Sequence, residues 1–383
     1  MELAAIVLIL APAIAFIGYP LVLICAAALR RSICISRTPI VPSISIVICA
    51  HNEAAQIGAK LESVLTALAA WPGTADIVVG DDGSSDDTCA IVARFADRGV
   101  RLIRAPRGGK AATLNRIVPQ CAGDILVMSD ADPLFDSATI PALLSPFADP
   151  AVGAVAGSVE TIRSHNSHSG RFAGADGLFR LYESAMRAAE DRLFGCVSAD
   201  GGIYAIRARL MPQVAADATD DFYISTAAVA AGYRIAFAPD AKVYEHSIAG
   251  DRQQFRRRVR ITVRGMTGLW RRRALMNPAR TGWYAVALIM HKLARRLSPL
   301  ALAPLWVVSG LLALDGSAGW GLVFLALSGG ALLGATGFLT AVELPRPIAI
   351  AYGLMLHLAG LGIGVLLFLS GRRYAQWTPQ KGG

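Results

Sequence analysis

The chain has 383 residues, 54% of them hydrophobic, and carries a formal charge of +9. The apolar residues concentrate at the two ends, leaving roughly 250 polar-rich residues between, enough for one large domain with its own core. That distribution excludes a bundle made only of membrane helices, and six scattered cysteines without a Cys-x-x-Cys pair argue against a zinc site or a disulfide framework.

Residues 3–29 carry no charge, and as a helix they would span ~40 Å, enough to cross a ~30 Å hydrocarbon core. A cleaved signal peptide would begin with basic residues, but only Glu2 precedes this stretch and Arg30-Arg31 follow it. The positive-inside rule then predicts an N-terminal transmembrane helix over 1–30, with its start outside and the next domain in the cytoplasm.

That domain opens with a strand over Ser43–Cys49 and a helical pattern over 53–69. A strand at Asp76–Gly80 runs into DDGSSDDT (81–88), followed by a helix over 87–97 and a strand over 100–104. PRGGK (106–110) leads into a helix over 110–118, and then comes GDILVMSDADPLF (123–135). Strands alternating with helices predict a parallel sheet covered on both faces, with ligands bound outside the carboxyl ends of the strands. The polar clusters fall at those ends: His51-Asn52-Glu53, Asp81-Asp82, Arg107 to Lys110, and Asp130 with Asp132.

Two carboxylates at i and i+2 on a strand exit suit a hard cation, Mg²⁺ or Mn²⁺, that also binds phosphate oxygens. Two other phosphate chemistries fit poorly. A haloacid-type phosphatase wants Thr or Val soon after its Asp-x-Asp, where this chain has Pro133, and a P-loop wants a hydroxyl where it has Ala111. Further on lie CVSADGGIYAIR (196–207) and Thr219-Asp220-Asp221. A tight turn is an alternative reading of Gly201-Gly202, and a helix N-cap is one of Thr219-Asp220-Asp221. His246 is expected at the surface.

The order AHNE, DDGSSDDT, GGKAATLN, SDAD, GGIYAIR and TDD resembles glycosyltransferase family 2 over about residues 42–298. It is most similar to the membrane-embedded branch with cellulose, hyaluronan and chitin-oligosaccharide synthases, and HKLARRLSP (291–299) resembles bacterial exopolysaccharide members. The resemblance implies an α/β GT-A (Rossmann-like) domain over 42–250 and inverting transfer from a nucleotide diphosphate sugar, with a UDP-sugar expected. It assigns Glu53 and Asp82 to the nucleoside, Lys110 to the diphosphate, Asp130 to the ribose or donor sugar and the metal, and Asp132 to the metal. Asp221 takes the position of the catalytic base, Asp220 replaces the family's Glu, and Gly201, Gly202 and Tyr204 border the acceptor. The acceptor is a saccharide or a lipid-linked molecule. A processive synthase that translocates its product, and a non-catalytic membrane scaffold that binds nucleotide, are the alternatives.

The basic run over 251–298 is expected to lie in the membrane interface against anionic lipid, with Arg257 and Arg260 facing the diphosphate in part. No recognisable nucleic-acid fold surrounds it, so nucleic acid is not the expected partner. The processivity motif Gln-x-x-Arg-Trp has no match here, since Gln254 to Arg258 contains no Trp and Trp270 lies well beyond. Stretches 299–314, 319–341 and 347–371 are expected as three C-terminal spans, with a tail over 372–383. Three such spans would leave Arg372-Arg373 outside, against the positive-inside rule. The expected setting is the bacterial inner membrane, multi-pass, with the catalytic domain cytoplasmic and a separate protein exporting the product.

Overall fold

The computed structural model describes residues 1–29, 37–162, 173–246, 250–340 and 344–374. Four strands, β1 (Ile44–Ala50), β2 (Ala75–Asp82), β3 (Val100–Ala105) and β4 (Ile125–Ser129), pair in parallel in the order β3-β2-β1-β4. β1 and β4 are buried along their whole length, which is why both are continuous apolar runs without alternation. Ile46 and Ile48 pack under Leu61 and Val64 of helix Ile57–Leu68, while Val47 and Met128 pack on the other face with Leu114 and Ile224. Each such Ile or Leu contributes about 1.5–3 kcal/mol by leaving water.

The sheet continues with β5 (Leu134–Phe135), β6 (Val152–Ile162), β7 (Ile203–Arg207) and β8 (Arg234–His246), in the order β4-β7-β6-β8-β5. This half corrects the all-parallel expectation, because β7 runs antiparallel to both β4 and β6. The geometry shows why. Ile203 pairs with Ser129, so β7 starts at the edge where β4 ends and must run back. That reversal sets Gly201-Gly202 beside Asp130.

Two helix starts and stops also differ from the expected bounds. Asn52 sits at φ 55°, and the Glu53 carbonyl accepts the N–H groups of Gln56 and Ile57, so the first helix begins only at Ile57. The next helix stops at Ala93, and a tight turn leads to Gly99 at φ 84°, a left-handed cap that glycine adopts without strain.

Among the described residues, four helices are long and apolar enough to cross a membrane: Glu2–Leu29, Trp283–Leu314, Ala318–Leu339 and Pro347–Leu369. The second corrects the expected 299–314, since it absorbs residues 283–297. Its basic residues meet acidic partners on helix Ala173–Leu193: His291 Nδ1 lies 2.6 Å from Glu190, its Nε2 lies 3.1 Å from Glu183, and Arg295 lies 2.5 Å from Glu183.

Helix Asp251–Arg271 packs into the protein with its C-terminal half, while Arg252 and Arg256 near its start are exposed. Val263, Arg264, Gly265 and Leu269 are buried, Arg264 donates to the Ala218 carbonyl at 2.5 Å, and Arg271 pairs with Asp217 at 2.8 Å. Its other side packs against the last span, where a Cβ on Gly364 would come within 2.5 Å of Thr262. Arg30-Arg31, on which the expected orientation rests, lie outside the described residues.

Candidate active site

The carboxyl ends of β1 to β4 open onto a cavity of about 700 Å³ lined by Glu53, Asp82, Lys110, Asp130, Asp132 and the turn 219–221. The expected clusters therefore come together. Loops hold them there: Glu53 N donates to Thr88 Oγ1 at 2.8 Å, and Asn52 Oδ1 accepts from Ser85 N at 2.8 Å.

Asp82 is engaged by protein groups at the cavity wall. Its two oxygens already accept from the Arg107 guanidinium, from Gly108 N at 2.8 Å, from Gly109 N at 2.9 Å and from Thr113 Oγ1 at 3.2 Å. The side chain is 2% exposed. It shapes loop 107–109 and has little accepting capacity left.

Lys110 bridges two acidic elements, pairing with Asp130 and, at 2.6 Å, with Asp220. Burial alone would raise the Asp220 carboxyl, but Lys110 outweighs it and holds Asp220 below the usual range. Asp221 goes the other way: burial, then Asp220 and Asp200, push it up to about 7. Neighbouring carboxylates with pKa values driven apart are the pattern of divided acid–base roles. The capping alternative is partly true, since both Asp residues begin helix Asp220–Ala230 and Asp221 Oδ1 accepts from Phe222 N at 2.7 Å, while the Thr219 hydroxyl makes no cap bond.

Asp130 and Asp221 face one another across Gly201. A Cβ there would lie 3.4 Å from Asp130 Oδ2 and 3.8 Å from Asp221 Oδ2, so a side chain would intrude between the carboxylates. Gly202 is required by packing, because a Cβ would meet Val159 at 2.5 Å. Tyr204 is 1% exposed and packs with Leu114 and Met128, within electrostatic range of Lys110, Asp220, Asp221 and Asp130.

The donor set suits a divalent cation. Burial, then Glu245 and Asp130, push Asp132 up to about 7, and burial followed by Asp132 does the same to Glu53. Such a cluster of carboxylates is stabilised by a positive charge among them. No three His, Cys, Asp or Glu side chains among the described residues form a cage, which fits an ion held by one or two carboxylates and by substrate oxygens. Arg257 and Arg260 line the cavity, with Arg257 3.5 Å from Glu245. His246 ends β8, and its side chain is outside the described set.

Several contributors escaped the sequence reading. Lys60 is fully buried, with Nζ donating to Ser129 Oγ at 2.6 Å and to the Pro133 carbonyl at 2.5 Å, so it clamps both ends of the turn that carries Asp130 and Asp132. Burial lowers its pKa to about 7. A lysine in a helical pattern gives no such signal. Glu245 and Asp200 were equally silent, because only the fold brings them to the cavity.

The profile of the family described as "Glycosyltransferase like family 2" matches residues 42–268. An "N-acetylglucosaminyltransferase" of Rhizobium leguminosarum bv. trifolii is 28% identical over 132 residues, covering 33% of this chain and 71% of that protein. A "Beta-monoglucosyldiacylglycerol synthase" of Trichormus variabilis is 36% identical over 96 residues, covering 24% of this chain and only 20% of its own length. Among solved structures, the mannosyltransferase PcManGT of Pyrobaculum calidifontis superposes with a TM-score of 0.71 at 21% identity, covering 96% of this chain and 99% of that one. That likeness is one of fold and covers nearly all of the chain. With the family profile spanning the sheet, the cavity and most of helix Asp251–Arg271, the chain belongs to glycosyltransferase family 2.

Proposed function

We propose that the protein transfers a sugar, with inversion, from a nucleotide diphosphate sugar to a hydroxyl of a membrane-borne acceptor. The observation that carries this reading is that Asp130 and Asp221 both approach Gly201, where a Cβ would lie 3.4 and 3.8 Å from their carboxylates, in a cavity that Asp132 also lines. Inversion requires the acceptor to attack the anomeric carbon from the face opposite the leaving diphosphate, so base and metal site must stand apart.

In this reading Glu53 and the loop shaped by Asp82 receive the nucleoside, and Lys110 with Arg257 and Arg260 neutralises the diphosphate. A Mg²⁺ or Mn²⁺ ion held by Asp132 and Asp130 would offset the negative charge that builds on the leaving group. Asp221 accepts the proton as the acceptor oxygen bonds to the anomeric carbon and the bond to the diphosphate breaks. Asp220, fixed by Lys110, keeps Asp221 basic, and Arg264 holds the turn through the Ala218 carbonyl. A UDP-sugar is the expected donor, by the resemblance to the polysaccharide synthases.

Four helices long and apolar enough to cross a membrane, among the described residues, support a membrane setting; in this reading the active site faces the cytoplasm and a separate protein exports the product. Phe255 packs on Phe338, and Trp270 is 60% exposed on the outside. Neither lines the cavity, so neither offers an aromatic platform on which a growing chain could slide. Transfer of one or a few sugars follows, in place of processive synthesis. Incubating the purified protein with Mn²⁺ and a panel of UDP-sugars, scored by nucleotide release, tests the reading; release from none of them, with GDP-sugars active in their place, would overturn the donor class.

A further inference from the structure

Helix Ala173–Leu193 carries a polar face to which the proposed reaction gives no role. Glu183, Arg187 and Glu190 recur at i, i+4 and i+7, so they share one side of the helix. Two apolar helices meet this side. His291 bridges Glu183 and Glu190, Arg295 pairs with Glu183, and Tyr182 Oη donates to the Phe16 carbonyl at 2.9 Å. Both of those helices are π-helical where they make the contact, over Ile14–Gly18, which contains Phe16, and over Ile289–Ala294, which contains His291. Such turns are frequent at functional sites.

The network ends on the loop beside the proposed base. Glu190 is fully buried, and its second oxygen accepts from Val197 N at 3.2 Å. The Val197 carbonyl accepts from Tyr284 Oη at 2.8 Å, so both backbone groups of this buried residue are held, each by a different helix. Two residues on, Ala199 N donates to Ser225 Oγ at 3.1 Å, and the same hydroxyl donates to the Asp221 carbonyl at 2.7 Å. Arg187 pairs with Asp200 at 3.1 Å, and Gly201 follows, where Asp130 and Asp221 approach. Ionic groups buried this deeply are costly to desolvate and, once satisfied, fix a single arrangement. Helix-to-helix contacts would be enough to anchor the domain; the bonds to Val197 hold the backbone of the loop itself.

We propose that Glu190 and Tyr284 are positioning residues: by clamping Val197 from two sides they set the loop 197–201 and, through Ser225, the place of Asp221 beside the acceptor hydroxyl. His291 keeps Glu190 in position, so the apolar helix Trp283–Leu314 sets the alignment of the base. This rests on the reading of Asp221 as the base and adds to it the groups that hold that base in place.

The test uses the full chain purified in detergent, with turnover read as nucleotide release from the donor in the presence of a lipid extract. Tyr284→Phe removes one hydroxyl and keeps the ring; Glu190→Gln keeps an oxygen for Val197 N that Glu190→Ala removes. Tyr284→Phe and Glu190→Ala should each lower kcat by about tenfold or more, since a small misplacement of a reacting group is enough for such a loss. Affinity for UDP with Mn²⁺ should stay near wild type, and Glu190→Gln should recover most of the loss. The unfolding midpoint in the same detergent reports that the variants fold, and Tyr284→Phe carries the test by itself should Glu190→Ala fail to do so. Wild-type kcat in the folded variants, a kcat and a nucleotide affinity that fall together, or a Glu190→Gln no better than Glu190→Ala would overturn the inference. Asp221→Asn separates the two readings. If it is inactive while the clamp variants turn over normally, only the clamp is refuted; if it turns over at the wild-type rate, the base is refuted and the clamp loses its target.

Discussion

Lys110 Nζ stands 2.6 Å from the Asp220 carboxylate and also pairs with Asp130, so one ammonium ties the helix starting at Asp220 to the exit of β4. With Asp220 so engaged, the proposed reading makes its neighbour Asp221 the carboxylate that takes the acceptor's proton. Replacing Asp221 by Asn keeps the shape and removes the proton acceptor. Donor and metal affinity should stay near wild type while kcat falls by about 10²- to 10⁴-fold, the usual cost of losing a general base. Calorimetry with UDP and Mn²⁺ alongside steady-state rates checks both halves, and near-normal turnover would move the base elsewhere.

The same carboxyl sets a pH dependence. Asp221 is pushed up to about 7 by burial and then by Asp220, and only its deprotonated form accepts the acceptor's proton. At saturating metal, kcat/KM should therefore climb with pH below about 7, by up to tenfold per unit, and flatten above it. A rate independent of pH between 5.5 and 7, in this experiment, would contradict the assignment.

Asp132→Ala should abolish metal-dependent binding of the nucleotide sugar. Asp132 sits with Glu245 and Asp130 in an acidic cluster, and a single remaining carboxylate of the pair is a poor anchor for a cation that must also hold a diphosphate. The check is donor affinity with and without Mn²⁺; a metal effect of unchanged size would count against the site.

Lys60→Met tests the clamp under the turn. It removes the donor shared by Ser129 Oγ and the Pro133 carbonyl, and leaving such groups buried and unpaired costs about 1–3 kcal/mol. The variant should melt at lower temperature, and where still folded should require more Mn²⁺ for half-maximal donor binding. A lower melting point with unaltered metal dependence would make Lys60 a packing residue alone.

The parallel half of the fold was legible because β1 and β4 are buried on both faces and so appear as unbroken apolar runs ending in polar clusters. β6 and β8 were not anticipated: VGAVAGSVETI mixes Ala, Gly and Ser with few large residues, and its strand character comes from pairing along β8. The site residues at the strand ends could be read because a strand end fixes its edge. Lys60, Glu245 and Asp200 could not, since each reaches the cavity only through tertiary packing. The basic run at 251–271 is ambiguous in sequence for a physical reason. An arginine that caps a carbonyl inside the protein, as Arg264 does at Ala218, has the same sequence signature as one facing lipid.

Product length follows from the position of the aromatic residues. Neither Phe255, packed against Phe338, nor the exposed Trp270 lines the cavity, so neither supplies a stacking surface to retain a long chain. Products made by the purified enzyme alone should carry one or a few added sugars by mass. A high-molecular-weight polymer formed without other proteins would refute this.

The most direct measurement is transfer itself: purified protein in detergent or lipid discs, a panel of nucleotide sugars, a lipid extract as acceptor, and Mn²⁺ present or chelated. The account predicts nucleotide release and a glycosylated lipid whose mass rises by one sugar unit, both lost on chelation and in Asp221→Asn. Metal-independent transfer, or transfer that survives in Asp221→Asn at the wild-type rate, would contradict it.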